Sequence, residues 1–209
     1  MINQALKKLF LLCVPNRIFR HRGASNKSVL YLTFDDGPTP LVTEELINLL
    51  DQYNATSTFF VIGDKLKESL DIGNKIITAG HAIGNHSLDH NGFSGLSLDK
   101  QLYQAEAAQI IINQLGQKQS QLFRSPQGHW SLLLILRLFF KKFKCIHWSY
   151  DSMDCSDYSV GQVIQRFENT PVKKGDIILF HDDAYKSIEV LKVMLPRWVQ
   201  QGYSFGRIN

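Results

Sequence analysis

Two short segments of the sequence combine carboxylates and imidazoles at spacings that suit a metal site. The segment 33–38, T-F-D-D-G-P, places Asp35 and Asp36 at a predicted strand end, and a turn at Asp36 can bring both into one pocket. His86 and His90 lie four residues apart, so both imidazoles face the same way if the chain forms a helical turn. With Asp36 as a third ligand, they form a zinc set that leaves one position open for water.

Other candidate residues give weaker signals, and ordinary structural interpretations stay open for all of them. Arg124 follows a predicted strand and could be a surface charge, or it could hold a neighbouring carboxylate ionised. His181 follows an apolar strand, where a histidine can be an ordinary core residue. Asp-Gly and Gly-Pro pairs are common in turns, and two histidines at this spacing also arise by chance. The functional interpretation therefore requires a fold that brings these side chains together.

Seven short runs rich in Val, Ile, Phe, Tyr and Thr are predicted as strands. They are Val29–Asp35, Thr56–Ile62, Gly80–His86, Gln121–Ser125, Cys145–Tyr150, Asp176–His181 and Tyr203–Ile208. Helices are predicted at Pro40–Tyr53 with Thr39 as N-cap, Leu98–Leu115 with Ser97 as N-cap, His129–Phe143 and Ala184–Gln201. Because alternating strands and helices indicate parallel β/α units, we expect an α/β fold, a distorted, incomplete (β/α)7-type barrel. An open doubly wound sheet is the structural alternative.

The polar segments share one position in this predicted architecture. Each falls at or just after the C-terminal end of a predicted strand, namely Asp35 and Asp36, His86, Arg124, Asp151 to Asp154, and His181 with Asp182. Sites in parallel β/α folds are assembled at that edge of the sheet. We therefore expect these side chains to form one site.

Composition and charge limit the other possibilities. The chain has 209 residues, 44% of them apolar, which is enough for the core of one domain. Before Asp35 there are six basic residues and no acidic one: Lys7, Lys8, Arg17, Arg20, Arg22 and Lys27. The rest of the chain keeps 17 of the 23 basic residues against all 19 acidic ones, so we expect no nucleic-acid-binding face. No apolar run approaches eighteen residues, so no segment is expected to span a bilayer.

Residues 1–28 are predicted to form a basic N-terminal arm ahead of a catalytic domain at 29–209. The apolar segment Leu9–Val14 resembles the core of a secretory signal, but it is short and no small-residue cleavage site follows. We therefore expect a retained arm that contacts an anionic membrane surface through residues 1–23. The alternative is that Asn16–Gly23 packs across the barrel and its charges only solvate it.

The three cysteines, Cys13, Cys145 and Cys155, are too few and too scattered for a disulfide framework or a thiolate zinc site. An odd number of cysteines suits a reducing compartment. We expect a cytoplasmic protein, peripheral at the inner face of the membrane.

From Val29 onward, the ordered set of motifs resembles the polysaccharide deacetylase family, carbohydrate esterase family 4, also called the NodB-homology domain. The five matching motifs are T-F-D-D-G-P at 33–38, H-S-x-x-H at 86–90, R-x-P-x-G at 124–128, D-x-x-D at 151–154 and hydrophobic-x-x-H-D at 178–182. The resemblance implies a distorted β/α barrel and a metal-dependent hydrolase, usually with zinc, that removes N-acetyl groups from an amino-sugar-containing glycan.

The resemblance also implies a role for each matching residue. Asp36, His86 and His90 would bind the metal, and Asp35 would be the general base. Arg124 would orient Asp35, His181 would be the general acid, and Asp154 would tune His181. The backbone N–H of Gln127 would contribute to an oxyanion hole.

Two positions depart from the family pattern. Gln127 stands where the family usually has Tyr, and Cys155 stands where it usually has Trp. These changes put the specificity of the groove in doubt but leave every implied ligand and proton-transfer residue in place. A deformylase, an O-acetyl esterase or a catalytically silent carbohydrate-binding homologue are the alternative functions.

Overall fold

A single curled sheet forms the centre of the molecule. The computed structural model describes residues 15–16, 18–24, 28–115 and 121–209. The strands are β1 (Phe19–Arg20), β2 (Val29–Asp35), β3 (Thr58–Val61), β4 (Ala82–Asn85), β5 (Leu122–Phe123), β6 (Lys144–Ile146), β7 (Tyr150–Asp151), β8 (Ile177–His181) and β9 (Ser204–Phe205). Their order is β1-β6-β5-β4-β3-β2-β8-β7, with β9 paired to the start of β2, and the strand pairs found in this part of the chain are parallel. The sheet forms a half-barrel, which confirms the predicted distorted, incomplete barrel.

Helices connect the strands and cover the sheet. They are α1 (Val42–Asp51), α2 (Gly63–Glu68), α3 (Leu70–Thr78), α4 (Leu98–Ile112), α5 (Leu132–Phe140), α6 (Val160–Asn169) and α7 (Lys186–Gln200), with 3-10 turns at Phe93–Gly95 and Pro126–Gly128. Among the described residues, no helix has the length and apolar character needed to cross a bilayer.

The start of α1 differs from the prediction. Thr39 is not its N-cap, because the helix begins at Val42 and Leu41 occupies the cap position with no side-chain hydrogen bond. Instead, the Thr39 N–H donates to the Thr43 hydroxyl, 2.8 Å away. The predicted cap of α4 is confirmed, since the Ser97 hydroxyl accepts from the backbone N–H of Lys100.

Three helices were not assigned from the sequence. α2 has only six residues, and α3 contains Gly73, so both give a weak periodic signal. α6 does carry a readable signal, because Ser159 and Gln162 form a reciprocal capping box and the helix buries Val163 and Phe167 on one face.

The predicted strand Cys145–Tyr150 is two strands that belong to different parts of the sheet. β6 pairs with β5 and β1, whereas β7 pairs with β8 at the other end of the strand order. Residues 147–149 join the two: the His147 N–H donates to Arg20 O and the Ser149 N–H donates to Ile177 O. The chain therefore crosses the open side of the half-barrel at this point.

The sheet begins ahead of Val29, where the folded domain was expected to start. Phe19 is fully buried in β1, and its ring packs edge-on against Trp130 at a centroid distance of 5.1 Å. Beyond β1, Arg22 bridges to Asp176, the residue before β8, and their side chains form an ion pair at 2.5 Å. Residues 18–23 thus pack across the barrel, because an apolar side chain and a paired arginine anchor them. The predicted contacts of Lys7, Lys8, Leu9–Val14, Arg17 and Lys27 lie outside the described residues.

Strand composition explains why the sheet ends in a polar edge. β2 reads V-L-Y-L-T-F-D, and its last four residues are all buried, as expected for a parallel strand covered on both faces. β8 reads I-I-L-F-H and is apolar up to its last residue. Both strands therefore carry a carboxylate or imidazole side chain only at their C-terminal end.

Candidate active site

Asp35 and His181 end two neighbouring strands at the same level. They are register partners in the β2–β8 ladder, so the final residue of one strand lies beside the final residue of the other. Both line one pocket at the C-terminal edge of the sheet. The remaining members of this pocket are Asp36, His86, His90, Gln127, Trp148, Asp151, Cys155 and Leu179.

The Asp35 carboxylate is buried and held by an arginine. Arg124 follows β5, and its Nη1 donates to Asp35 Oδ1 at 2.7 Å and to the Thr33 hydroxyl at 2.8 Å. The guanidinium lies over the ring of Phe60, 4.1 Å from its centroid. Burial raises the pKa of Asp35 above its ordinary value, and the nearby charges of Arg124 and His181 oppose that effect.

Three side chains beside Asp35 have the composition of a metal site. Asp36 adopts a left-handed conformation, φ 74°, so the chain turns directly after β2. Its Oδ1 lies 3.5 Å from Nε2 of His86 and 3.5 Å from Nε2 of His90. One potential ligand atom from each of the three residues lies within 4.8 Å of the others.

The state of these groups fits a divalent cation. Asp36 Oδ1 is buried without a hydrogen-bond partner among the described residues. The Nδ1 of His86 donates to the backbone carbonyl of Arg124 at 2.9 Å, which leaves the Nε2 lone pair facing Asp36. Burial lowers the pKa of His86 to about 3, so its imidazole is neutral and able to ligate at physiological pH.

His181 is held by a buried carboxylate, whereas Asp35 is held by a buried cation. Its Nδ1 donates to Asp154 Oδ1 at 2.9 Å, and its backbone N–H donates to Asp154 Oδ2 at 2.8 Å. Burial alone would lower the pKa of His181, but hydrogen bonds with Asp154 and with the thiol of Cys155, together with the charges of Asp154 and Asp35, raise it to about 12.

Asp154, Cys155 and His181 also bring metal-ligating atoms close together. However, both oxygens of Asp154 accept hydrogen bonds from His181, and Oδ1 also accepts from the Ser152 hydroxyl at 2.8 Å. These contacts favour an orienting role for Asp154 over metal binding.

Gln127 and Trp148 shape the wall of the pocket. Gln127 lies in the 3-10 turn Pro126–Gly128 with φ 54°, a left-handed conformation in the middle of the turn. Trp148 closes over the same turn so tightly that a Cβ on Gly128 would lie 2.6 Å from its ring. Gly128 is therefore required here by both its positive φ of 62° and the contact with the indole.

Sequence reasoning assigned no role to Trp148 or Leu179 as pocket residues. Trp148 is in the segment where the chain crosses the open side of the half-barrel, and that crossing is not visible in a local pattern. The indole supplies an aromatic surface in a pocket where Cys155 stands in place of the expected Trp.

Asp182 lies against the turn formed by Asp36 and Gly37. The Thr43 hydroxyl donates to its Oδ2 at 2.6 Å, and a Cβ on Gly37 would collide with its carboxylate, 2.1 Å away. Burial raises the pKa of Asp182 to about 7. Asp182 thus supports the turn that follows Asp36.

Every residue singled out from the motifs is found at this edge of the sheet. Asp35, Asp36, His86, His90, Gln127 and His181 line the pocket. Arg124 and Asp154 lie behind Asp35 and His181, respectively, and contact them directly.

Comparison with known proteins places this arrangement in context. The chain matches the family model described as polysaccharide deacetylase over residues 22–138. It is 30% identical over 190 residues to a peptidoglycan-N-acetylglucosamine deacetylase of Bacillus cereus, with 88% of each chain covered. It is 33% identical over 162 residues to a chitooligosaccharide deacetylase of Azorhizobium caulinodans, with 77% of each chain covered.

A similar fold is found in a solved structure that is described as a pseudoenzyme. The crystal structure of a CE4 family pseudoenzyme from Bacillus anthracis has a TM-score of 0.83 and 25% identity, and covers 91% of this chain and 67% of its own. The fold alone therefore does not decide activity, which depends on the side chains of the site.

Proposed function

The chain belongs to the polysaccharide deacetylase family, and on this basis we propose that it hydrolyses the N-acetyl group of an amino sugar in a glycan, releasing acetate. The observation that carries the proposal is the pairing of Asp35 with His181 across β2 and β8, beside the Asp36–His86–His90 set. A carboxylate base, an acid and a ligand set with an open position are the groups that hydrolysis of an amide needs.

We propose zinc as the metal, held by Asp36, His86 and His90. Two imidazoles and one carboxylate form a donor set typical of catalytic zinc sites. A bound divalent cation would lower the pKa of a water molecule and polarise the acetamide carbonyl.

The remaining steps fall to the side chains of the pocket. Asp35 accepts a proton from the attacking water, whose oxygen bonds to the carbonyl carbon. Arg124 holds Asp35 ionised and fixes its orientation. The backbone N–H of Gln127 donates to the oxyanion that forms. His181, oriented by Asp154, gives its proton to the amine nitrogen as the C–N bond breaks, so the amine leaves neutral.

The substrate class comes from relatives and from the pocket. The two relatives are named for their substrates, peptidoglycan N-acetylglucosamine and chitooligosaccharides, and both substrates contain N-acetylated glucosamine units. The indole of Trp148 in the pocket wall offers an apolar face for a sugar ring to stack on. We propose an N-acetylglucosamine-containing glycan or glycan precursor as the substrate. A cytoplasmic location and a contact of the basic arm with an anionic membrane remain predictions.

Acetate release tests the proposal directly. Purified chain is incubated with N-acetylated chitooligosaccharides and with peptidoglycan fragments, before and after chelation, and after re-addition of Zn²⁺. We expect release that chelation abolishes and Zn²⁺ restores. No release from either substrate by the zinc-loaded chain would contradict the proposal and favour a silent homologue. Release from only O-acetylated or N-formylated sugars would favour the esterase or the deformylase.

Two substitutions separate metal binding from proton transfer. His90→Ala should lose both the bound metal and activity, because two remaining ligands hold zinc poorly. Asp35→Asn should keep the metal but lose about a hundredfold to ten-thousandfold in turnover, the usual contribution of a general base. Asp89→Asn is the control, since Asp89 is in the same loop but contributes no atom to the ligand set. An active Asp35→Asn variant without metal would mean that the roles of Asp35 and Asp36 are assigned wrongly.

A further inference from the structure

Helix α5 presents an uncovered apolar surface to solvent. Among the described residues, eleven large hydrophobic side chains are exposed, and five of them belong to this one helix. They are Leu132, Leu133, Leu136, Phe139 and Phe140, of which Phe140 is 78% exposed. Soluble monomers rarely expose a continuous apolar patch of this kind without a function for it.

The other face of α5 is packed into the molecule. Leu134, Ile135 and Leu138 are buried in a cluster that includes Phe19 and Trp130. The helix is therefore fixed on the barrel by one face while the other stays apolar. A helix that is hydrophobic all round is normally buried, so this exposed face implies an occupant beyond the residues that the structure describes.

The five exposed side chains form one continuous stripe. At 100° per residue, the sequence positions 139, 132, 136, 140 and 133 follow one another within an arc of about 120°. Arg137 and Lys141 come next around the helix, on the border of this arc. The arrangement is that of an amphipathic helix lying on an interface, with an apolar stripe beside basic residues.

Charge identifies the occupant. Arg137, Lys141, Lys142 and Lys144 are all exposed, and the sequence from 129 to 150 contains no acidic residue. Glu106 on α4 forms an ion pair with Lys141, whereas the other three cations form no ion pair with an acidic side chain of the described residues. A second copy of the chain docked about a two-fold axis would bring these like charges together, whereas an anionic lipid surface would complement them.

We propose that the exposed stripe of α5, with the basic residues Arg137, Lys141, Lys142 and Lys144, is a docking surface for an anionic lipid bilayer. α5 has nine residues, too few to span a bilayer, so the contact is interfacial. The surface is separate in sequence from the basic arm. The described part of the arm includes β1, which pairs with β6, and β6 follows α5.

The docking surface also relates to the active site. α5 begins at Leu132, four residues after the Gly128 that packs under Trp148 in the pocket wall. Docking would hold the pocket near the headgroups, within reach of a glycan carried at the membrane. This last step rests on the proposed deacetylase activity, whereas the lipid contact does not.

Vesicle co-sedimentation of the full chain tests the surface. The probes are vesicles of phosphatidylcholine alone and of phosphatidylcholine with phosphatidylglycerol. We expect pelleting with the anionic vesicles, weak pelleting with the neutral ones, and release at high salt because the charges are screened. The double variant Leu133→Glu/Phe140→Glu should partition at least tenfold less, and Lys142→Glu/Lys144→Glu should lose mainly the preference for anionic vesicles.

Val199→Glu is the matched control, because Val199 is a 46% exposed apolar residue on α7 and Leu133 is 55% exposed. It should pellet like the wild type. Acetate release from a soluble oligosaccharide, together with circular dichroism, shows whether each variant is folded, independently of lipid binding. If the α5 variants pellet like the wild type, binding belongs to the arm and the proposal is overturned. If no form pellets and the wild type is a dimer that Leu133→Glu dissociates, α5 is instead an interface between copies.

Discussion

The Asp35–Arg124 pair and the Asp154–His181 pair both join a carboxylate to a cation at the edge of one pocket, but they present opposite members to it. Asp35 and His181 line the pocket, while Arg124 and Asp154 lie behind them. In the first pair a cation opposes the rise that burial causes in the pKa of an acid, and in the second an acid raises the pKa of a base. The buried partner thus shifts the pKa of the group that lines the pocket.

The two pairs differ in how easily the cationic member can lose its proton. Burial lowers the pKa of Arg124, yet a guanidinium starts so far above neutrality that it keeps its charge. Its side chain is fully buried, whereas that of His181 is 12% exposed and can release its proton. The charge of Arg124 is therefore fixed, whereas the charge of His181 can change with pH. We call Asp35–Arg124 the fixed pair and Asp154–His181 the adjustable pair.

Breaking the fixed pair should have the largest effect. Arg124→Ala leaves the Asp35 carboxylate buried without its cation, and we expect a loss of about 3–5 kcal/mol in the free energy of unfolding. Turnover should fall at least a hundredfold, because the pKa of Asp35 rises further and the base is protonated. Urea unfolding and acetate release measure the two effects.

Asp154→Ala is the matched substitution in the other pair. It should cost less stability, because His181 can lose its proton and is partly hydrated. Equal losses of stability in the two variants would show that the pairs do not differ as their burial indicates.

Changing the adjustable pair should move the pH profile. Asp154→Asn removes the charge that, after the opposing effect of burial, raises the pKa of His181 to about 12. The pKa then falls toward its ordinary value near 6.5, so the alkaline limb of kcat/KM should move to lower pH. We expect kcat/KM at pH 8 to fall about tenfold to a hundredfold, as measured by acetate release across pH.

Asp154→Asn should also change how the free energy of unfolding depends on pH, in a direction that can be predicted. A histidine whose pKa is raised on folding stabilises the folded state fully below its unfolded pKa, near 6.5, and loses that contribution as the pH rises toward about 12. The difference in unfolding free energy between wild type and Asp154→Asn should therefore shrink from pH 6 to pH 9. A difference that grows over this range would contradict the assignment of Asp154 as the partner of His181.

The site was predictable to a large extent because its residues stand at strand ends. Each motif lies in a turn that follows an apolar strand. Because parallel strands bring such ends to one edge of the sheet, local patterns are enough to predict that Asp36, His86 and His90 converge. The side on which Asp36 points could not be predicted, since it depends on a positive φ directly after the strand.

Other features depend on long-range packing and left no local signal. Phe19–Arg20 is a strand of two residues, recognisable only through its pairing with β6. Trp148 enters the pocket because the chain crosses between the ends of the sheet. For α5, the run L-L-L-I-L-R-L-F-F is apolar except for Arg137, so the sequence does not indicate which face is buried.

The smallest effect should come from Cys155→Ser, which tests whether Cys155 contributes to the function of the Asp154–His181 pair. Its thiol hydrogen-bonds His181 and is exposed at the pocket wall. Serine keeps a hydrogen-bonding group beside His181, so Cys155→Ser should change kcat by about fivefold or less, which corresponds to about 1 kcal/mol. A bulky maleimide, by contrast, should inactivate the wild type by filling the pocket, without removing metal.

Cys155→Ser should resist that reagent, while Cys13→Ser should stay sensitive to it. Cys145 should not react, because it is buried and burial raises the pKa of its thiol to about 12. Mass spectrometry locates the adduct, and metal analysis measures whether the bound metal remains. If Cys155→Ser is as slow as His181→Ala, the thiol is part of the proton-transfer machinery, and the second pair is a triad of Asp154, Cys155 and His181.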